Sequence, residues 1–132
     1  MRSIDPPRTR PAPQSFIGRT LDGDQYVHTF DAMTLVVAVK NNCDGCRDFV
    51  NSDLAEFDGV EVIVVSAVDD VAGEWRGARQ RVVIAPDLLR ELDVRWPPFY
   101  VLVEPRESRV LTEGVVFGPT QVAEEIAAFL VR

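Results

Sequence analysis

Cysteine and histidine are scarce in this 132-residue chain, which has two cysteines, Cys43 and Cys46, and one histidine, His28. At this length a single domain builds its core without covalent staples. The same scarcity leaves one chain short of thiolates for a structural zinc, which usually needs four ligands. Only a dimer pooling two cysteine pairs would supply them. Long apolar runs are missing too. The longest, at 34–39 and 62–65, fall far short of the roughly 20 residues that span a bilayer, so no membrane insertion is expected. Basic charge is in deficit, with 14 Lys and Arg against 21 Asp and Glu, a net charge of −7. That sign argues against nucleic acid or an anionic membrane as main partner. The N-terminus has no apolar h-region, which reads as the absence of a secretory signal and predicts a cytoplasmic protein. In that compartment a dithiol is kept mostly reduced, and a disulfide is more often catalytic than structural.

What is present is an ordinary globular composition, 46% hydrophobic and 27% charged. Residues 1–14 stand apart, with four prolines, Arg2, Arg8 and Arg10 against Asp5, and almost no apolar side chains. Such a segment cannot offset its ordering entropy, so a disordered basic tail or an extended arm is expected there. Residues 15–132 hold 11 basic and 20 acidic side chains, a net −9, and form one domain.

The most informative stretch runs from Thr34 to Val50. Leu35 to Val39 is an apolar run too short and too β-branched for a helix, without polar alternation, and reads as a central strand buried on both faces. A polar bend follows, and then both cysteines. Phe49, Val50, Leu54 and Phe57 recur at helical spacing, which predicts a helix packed on a sheet. Cys43 and Cys46 therefore lie at a strand-to-helix junction, where a Cys-x-x-Cys pair reads as a redox dithiol. A helix N-terminus carries about half a positive charge and unpaired N–H groups, a setting that suits a nucleophilic thiolate. Cys43 is expected as the exposed nucleophile and Cys46, one turn on, as the buried resolving thiol. The alternative is an inert pair of core cysteines.

Upstream, 16–21 and 25–30 flank the turn Asp22-Gly23-Asp24 and predict a β-hairpin, with His28 a strand residue rather than a catalytic one. Downstream, Val60–Val68 reads as a second strand. Asp69 and Asp70 read as the start of a short helix through Val71 to Arg79 with Trp75 inward, weakened by Gly73 and Gly77. Residues 81–85 suggest an edge strand, and Pro86-Asp87 a helical turn with Asp87 as N-cap. Phe99–Val103 is a further strand, returned by 105–108 into antiparallel pieces at 109–111 and 115–117. Gly118-Pro119 opens a last helix with Val122, Ile126, Phe129 and Leu130 inward.

This order of elements, with Cys43-Asp-Gly-Cys46, the proline before Phe99 and Gly118 before the last helix, resembles the thioredoxin superfamily. Within it, the hairpin ahead of the cysteine strand looks most like the redoxin and TlpA-like thiol–disulfide oxidoreductases. The resemblance covers 16–131 and implies an α/β thioredoxin fold, with a central mixed sheet flanked by helices and an N-terminal hairpin. It implies a cis bond before Pro98, whose backbone pairs with a partner peptide and which shields the cysteines from metal. Asn42, Asp44, Gly45, Pro97 and Pro98 then form the partner-binding surface around Cys43 and Cys46, and no cofactor is expected. Partners would be protein thiols or disulfides.

The chain departs from that pattern in four places. Asn42 replaces the tryptophan before the first cysteine, and Asp44-Gly45 replaces Gly-Pro. Val37 stands where thioredoxins bury a proton-relaying acid. Lys40 stands where peroxiredoxins carry Thr or Ser, which argues against a peroxidase. The reading is a thiol–disulfide oxidoreductase acting on a narrow partner set, even one dedicated protein. Its rival is a binding or assembly module that kept the fold and lost the chemistry.

Overall fold

Every residue of the apolar run 34–39 is buried, because strands flank it on both sides and side chains cover both faces. The computed structural model describes residues 10–130. In chain order these form β1 (Arg10–Pro11), β2 (Ser15–Arg19), β3 (Gln25–Thr29), β4 (Thr34–Val39), α1 (Asp44–Val50), β5 (Glu61–Ser66), β6 (Val82–Ile84), α2 (Pro86–Glu91), β7 (Phe99–Glu104), β8 (Arg109–Val115) and α3 (Pro119–Leu130). The strands make one mixed sheet in the order β1-β8-β7-β4-β5-β6-β2-β3. Parallel pairs β4–β5 and β5–β6 sit at its centre, and β7 runs antiparallel to β4 with Val37 opposite Tyr100. The C-terminal ends of β4, β5 and β6 and the N-terminal end of β7 thus share one edge, where loops gather.

Alternation along β4 divides the core. Leu35, Val37 and Val39 pack with Cys46, Phe49 and Val50 of α1 and with Val122 and Ile126 of α3. Val36 and Ala38 face Leu88, Leu89 and Leu92 and the hairpin residues Phe16 and Phe30. The sheet is covered on both faces, which is why its central strands are continuous apolar runs rather than alternating ones. In α3, Gln121 reaches back to accept from the N–H groups of Phe117 and Gly118, at 2.8 and 3.3 Å, and caps the helix start.

Several elements differ from expectation. The cysteine helix stops at Val50, so Leu54 and Phe57 lie beyond it, although Phe57 still reaches the same core. Asn51 Nδ2 and Ser52 Oγ donate to the carbonyls of Arg47 and Asp48, and Asp53 accepts from Ala55 N–H; side chains that compete for backbone groups end the helix. Residues 71–79 form turns, not a helix, with Gly73 and Gly77 at φ of 72° and 79°, yet Trp75 is buried as expected. β6 is an interior strand, because the hairpin extends the sheet beyond it through Arg19 opposite Ile84. Ala85, without a side-chain bond, precedes α2 in the capping position; Asp87 lies inside the first turn and pairs with Arg90. β8 runs unbroken through 112–114, with an irregularity opposite Leu102 and Val103.

The start of the domain also lies earlier than composition suggests. β1 pairs Arg10 with Val110 and Pro11 with Arg109, Ala12 is buried, and Gln14 accepts from Phe30 N–H at 2.9 Å. Main-chain pairing to an open sheet edge, which tolerates proline, anchors this segment with few apolar side chains. The remainder of the expected tail, residues 1–9, lies outside the described residues.

Candidate active site

The dithiol sits where β4 runs out. Lys40, Asn41 and Asn42 turn the chain, with Asn42 in the left-handed region at φ 58°. Cys43 is the N-cap of α1, and its Sγ accepts the Cys46 N–H at 3.2 Å. That bond satisfies one of the free donors of a helix start and turns the Cys43 sulfur toward the first turn. Cys43 is half-buried, whereas Cys46 is fully buried under the β4 and α3 side chains, and both are free thiols. Burial pushes the Cys46 thiol up to about 12, and its Cys43 neighbour adds to this; the Lys40 N–H, 3.4 Å from the sulfur, pulls the other way. Val37 is buried in the same apolar cluster, so no carboxylate stands at its place in β4.

Opposite the dithiol lies the approach to β7. The Pro97–Pro98 bond is cis. Pro98 Cγ is 3.6 Å from where a Cβ on Gly45 would be, so the second proline faces the Cys-x-x-Cys turn directly. The Pro98 carbonyl accepts from Val116 N–H at 3.0 Å. The fold therefore brings together Cys43, Gly45, Cys46 and Pro98, with the exposed Asn42 and Asp44 on either side of Cys43 in the chain and Pro97 half-buried. Trp96 and Phe117, next in the chain to Pro97 and Val116, are 75% and 84% exposed.

The loop after β5 completes the site, and sequence reading missed it. Glu74, its side chain only 13% exposed, accepts from Asn42 N–H through Oε1 at 3.0 Å and from Arg47 Nη1 through Oε2 at 2.7 Å. Arg47 also pairs with the exposed Asp44. Glu74, ahead of Asp44, holds the Arg47 guanidinium further in its charged form. Glycines at 73 and 77 were the available signal that this stretch turns rather than coils, which would have freed Glu74 to point at the dithiol.

His28 is elsewhere, on the hairpin, among the rings of Phe16, Tyr26 and Phe30 and 3.9 Å from Glu61 at the far end of β5. Among the described residues no three His, Cys, Asp or Glu side chains converge as a metal site, and no helix is long and apolar enough to cross a membrane.

No family model matches this chain, and no curated protein matches its sequence. Solved structures do match its shape. A protein named as a thiol:disulfide interchange protein DsbE from Chlorobium tepidum superposes with a TM-score of 0.68 at 21% identity, over 98% of this chain and 100% of that one. The thioredoxin domain of a thiol–disulfide oxidoreductase from Bacteroides vulgatus gives 0.67 at 19%, with 98% and 100% covered. StoA from Bacillus subtilis gives 0.64 at 16%, over 86% and 98%. With its mixed sheet, its helices on both faces and these neighbours, the chain has the thioredoxin fold.

Proposed function

We propose that this protein is a thiol–disulfide oxidoreductase that exchanges electrons between its Cys43–Cys46 dithiol and the disulfides or thiols of a limited set of protein partners. The carrying observation is the paired geometry of the two sulfurs. A half-buried Cys43 caps the helix and accepts from Cys46 N–H, while Cys46 lies fully buried behind it. In the reducing direction the Cys43 thiolate attacks one sulfur of a partner disulfide, forms a mixed disulfide and expels the partner's other sulfur as thiolate. The Cys46 thiol then loses its proton and attacks Cys43 Sγ. The Cys43–Cys46 disulfide forms and the partner leaves as a dithiol, having gained two electrons and two protons. Oxidation of a partner is the same sequence reversed.

Asn42, Asp44, Gly45, Pro97 and Pro98 form the surface a partner meets. A narrow partner set follows from this surface and from the −9 carried by residues 15–132, which repels acidic chains within a Debye length of ~8 Å. The test is alkylation in denaturant with mass readout: two labels after reductant and none after mild oxidant. Cys46→Ser should then trap one or a few disulfide-linked proteins, lost when Cys43 is also replaced. Two labels under both conditions would overturn the reading and leave a docking module.

A further inference from the structure

Glu74 reaches from the loop after β5 to both sides of the dithiol turn. One oxygen holds the Asn42 N–H, immediately before Cys43, and the other holds Arg47, immediately after Cys46. A left-handed Asn is uncommon outside tight turns, and here the carboxylate fixes it. Glu74 is itself held from behind. Asp70 accepts from the N–H groups of Glu74 and Trp75 at 2.7 and 2.9 Å, and the Trp75 ring is buried in the cluster that contains Cys46 and Phe49. The loop is thus anchored in the same core as the buried thiol.

Resting on the oxidoreductase reading above, we infer that Glu74 is a positioning residue for the dithiol. It sets the Asn42 bend that delivers Cys43 to the start of α1, and it withholds the charge of Arg47 from the Cys43 sulfur. Asp44, the other carboxylate on Arg47, is 92% exposed, so water and salt weaken its hold. Glu74, at 13% exposure, is screened far less and dominates the guanidinium. A cation bound in this way offers little to a thiolate nearby. Released, it would favour the thiolate form of Cys43 and hence the reduced state of the pair.

Glu74→Gln and Glu74→Ala separate the two actions. Glutamine can keep an amide oxygen on Asn42 N–H but presents Arg47 with no charge, whereas alanine loses both contacts. Two quantities are read for each protein. One is the rate of Cys43 alkylation by iodoacetamide at neutral pH. The other is the equilibrium in which the dithiol and glutathione disulfide exchange to give the protein disulfide and two glutathione thiols. For Glu74→Gln the alkylation should quicken by about threefold or more, and the equilibrium should shift toward the reduced protein by a similar factor. Glu74→Ala should fall short of Glu74→Gln in rate, because a released bend takes the sulfur away from Cys46 N–H. Were Glu74→Ala not to fold, the isosteric glutamine variant carries the test alone. Changes in melting temperature with rate and equilibrium unmoved would reduce Glu74 to a structural clamp and overturn the inference. Failure of the wild type to form a disulfide with glutathione would instead overturn the oxidoreductase reading, and this one with it.

Discussion

A buried Cys46 with its thiol pushed up to about 12 makes the second half of the exchange strongly pH-dependent. At pH 7 a thiol five units below its midpoint is about one part in 10⁵ thiolate, and only the thiolate attacks. The main cause is burial, which persists when Cys43 is tied up in a mixed disulfide; the apolar cluster around Cys46 includes Leu35, Val37, Val39 and Phe49, none of which can take the proton, and the ionisable side chain that acts on it besides Cys43 is Lys40, already a cation at neutral pH. The perturbation is therefore pH itself. Dithionitrobenzoate reports each step: Cys43 attack releases one coloured thiolate, and Cys46 attack on the adduct releases the second. The rate of the second release should climb tenfold per pH unit, about a thousandfold from pH 7 to pH 10, with the slope of a single proton. Cys46→Ala should show the first release only. A second phase that levels off below pH 9 would mean that some group relays the proton, and would refute the reasoning from an apolar pocket.

The same burial links Cys46 to stability. Its thiol keeps its proton in the folded chain to higher pH than the ordinary 9.0, so this stabilisation is complete below pH 9.0 and is lost as pH rises toward about 12. Burial, and then the bond to Glu125, raise the Tyr100 phenol as well, in the same sense. Denaturant midpoints of the reduced protein should fall across this range, less steeply in Cys46→Ala, and equal slopes would contradict the assignment. Gly18→Ala should cost about 1–3 kcal/mol through overpacking, since a Cβ there would lie 2.5 Å from the Ile84 carbonyl and 3.0 Å from Ala85 Cβ. β2 meets β6 at the single pair Arg19–Ile84, so the hairpin would lift from the sheet. An unchanged denaturant midpoint would show that the strand slides without penalty.

Much of this protein is legible without its structure, because the signals are local or periodic. A five-residue apolar run flanked by turns has few solutions other than a doubly covered strand, and Leu35–Val39 is one. A Cys-x-x-Cys pair after such a strand places one sulfur at the cap and one a turn inside, as Cys43 and Cys46 lie. Proline before Phe99 and the stripe Val122–Ile126 were equally local. What only the tertiary structure decided involves partners distant in sequence. Arg10 and Pro11 are ordered because β8 offers an open edge, not because of their own apolar content. β6 is interior because the hairpin adds β2 beyond it. The cysteine helix ends at Val50 through side-chain bonds from residues 51–53, which outcompete the apolar period that continues to Phe57. Glu74 belongs to the site because two turns with positive-φ glycines aim a carboxylate across 32 residues of chain at the Asn42 N–H. Periodicity records which face of an element is apolar. It carries no record of which side chain on another loop will arrive to meet it, since that depends on how strand order folds the loops back onto one edge of the sheet.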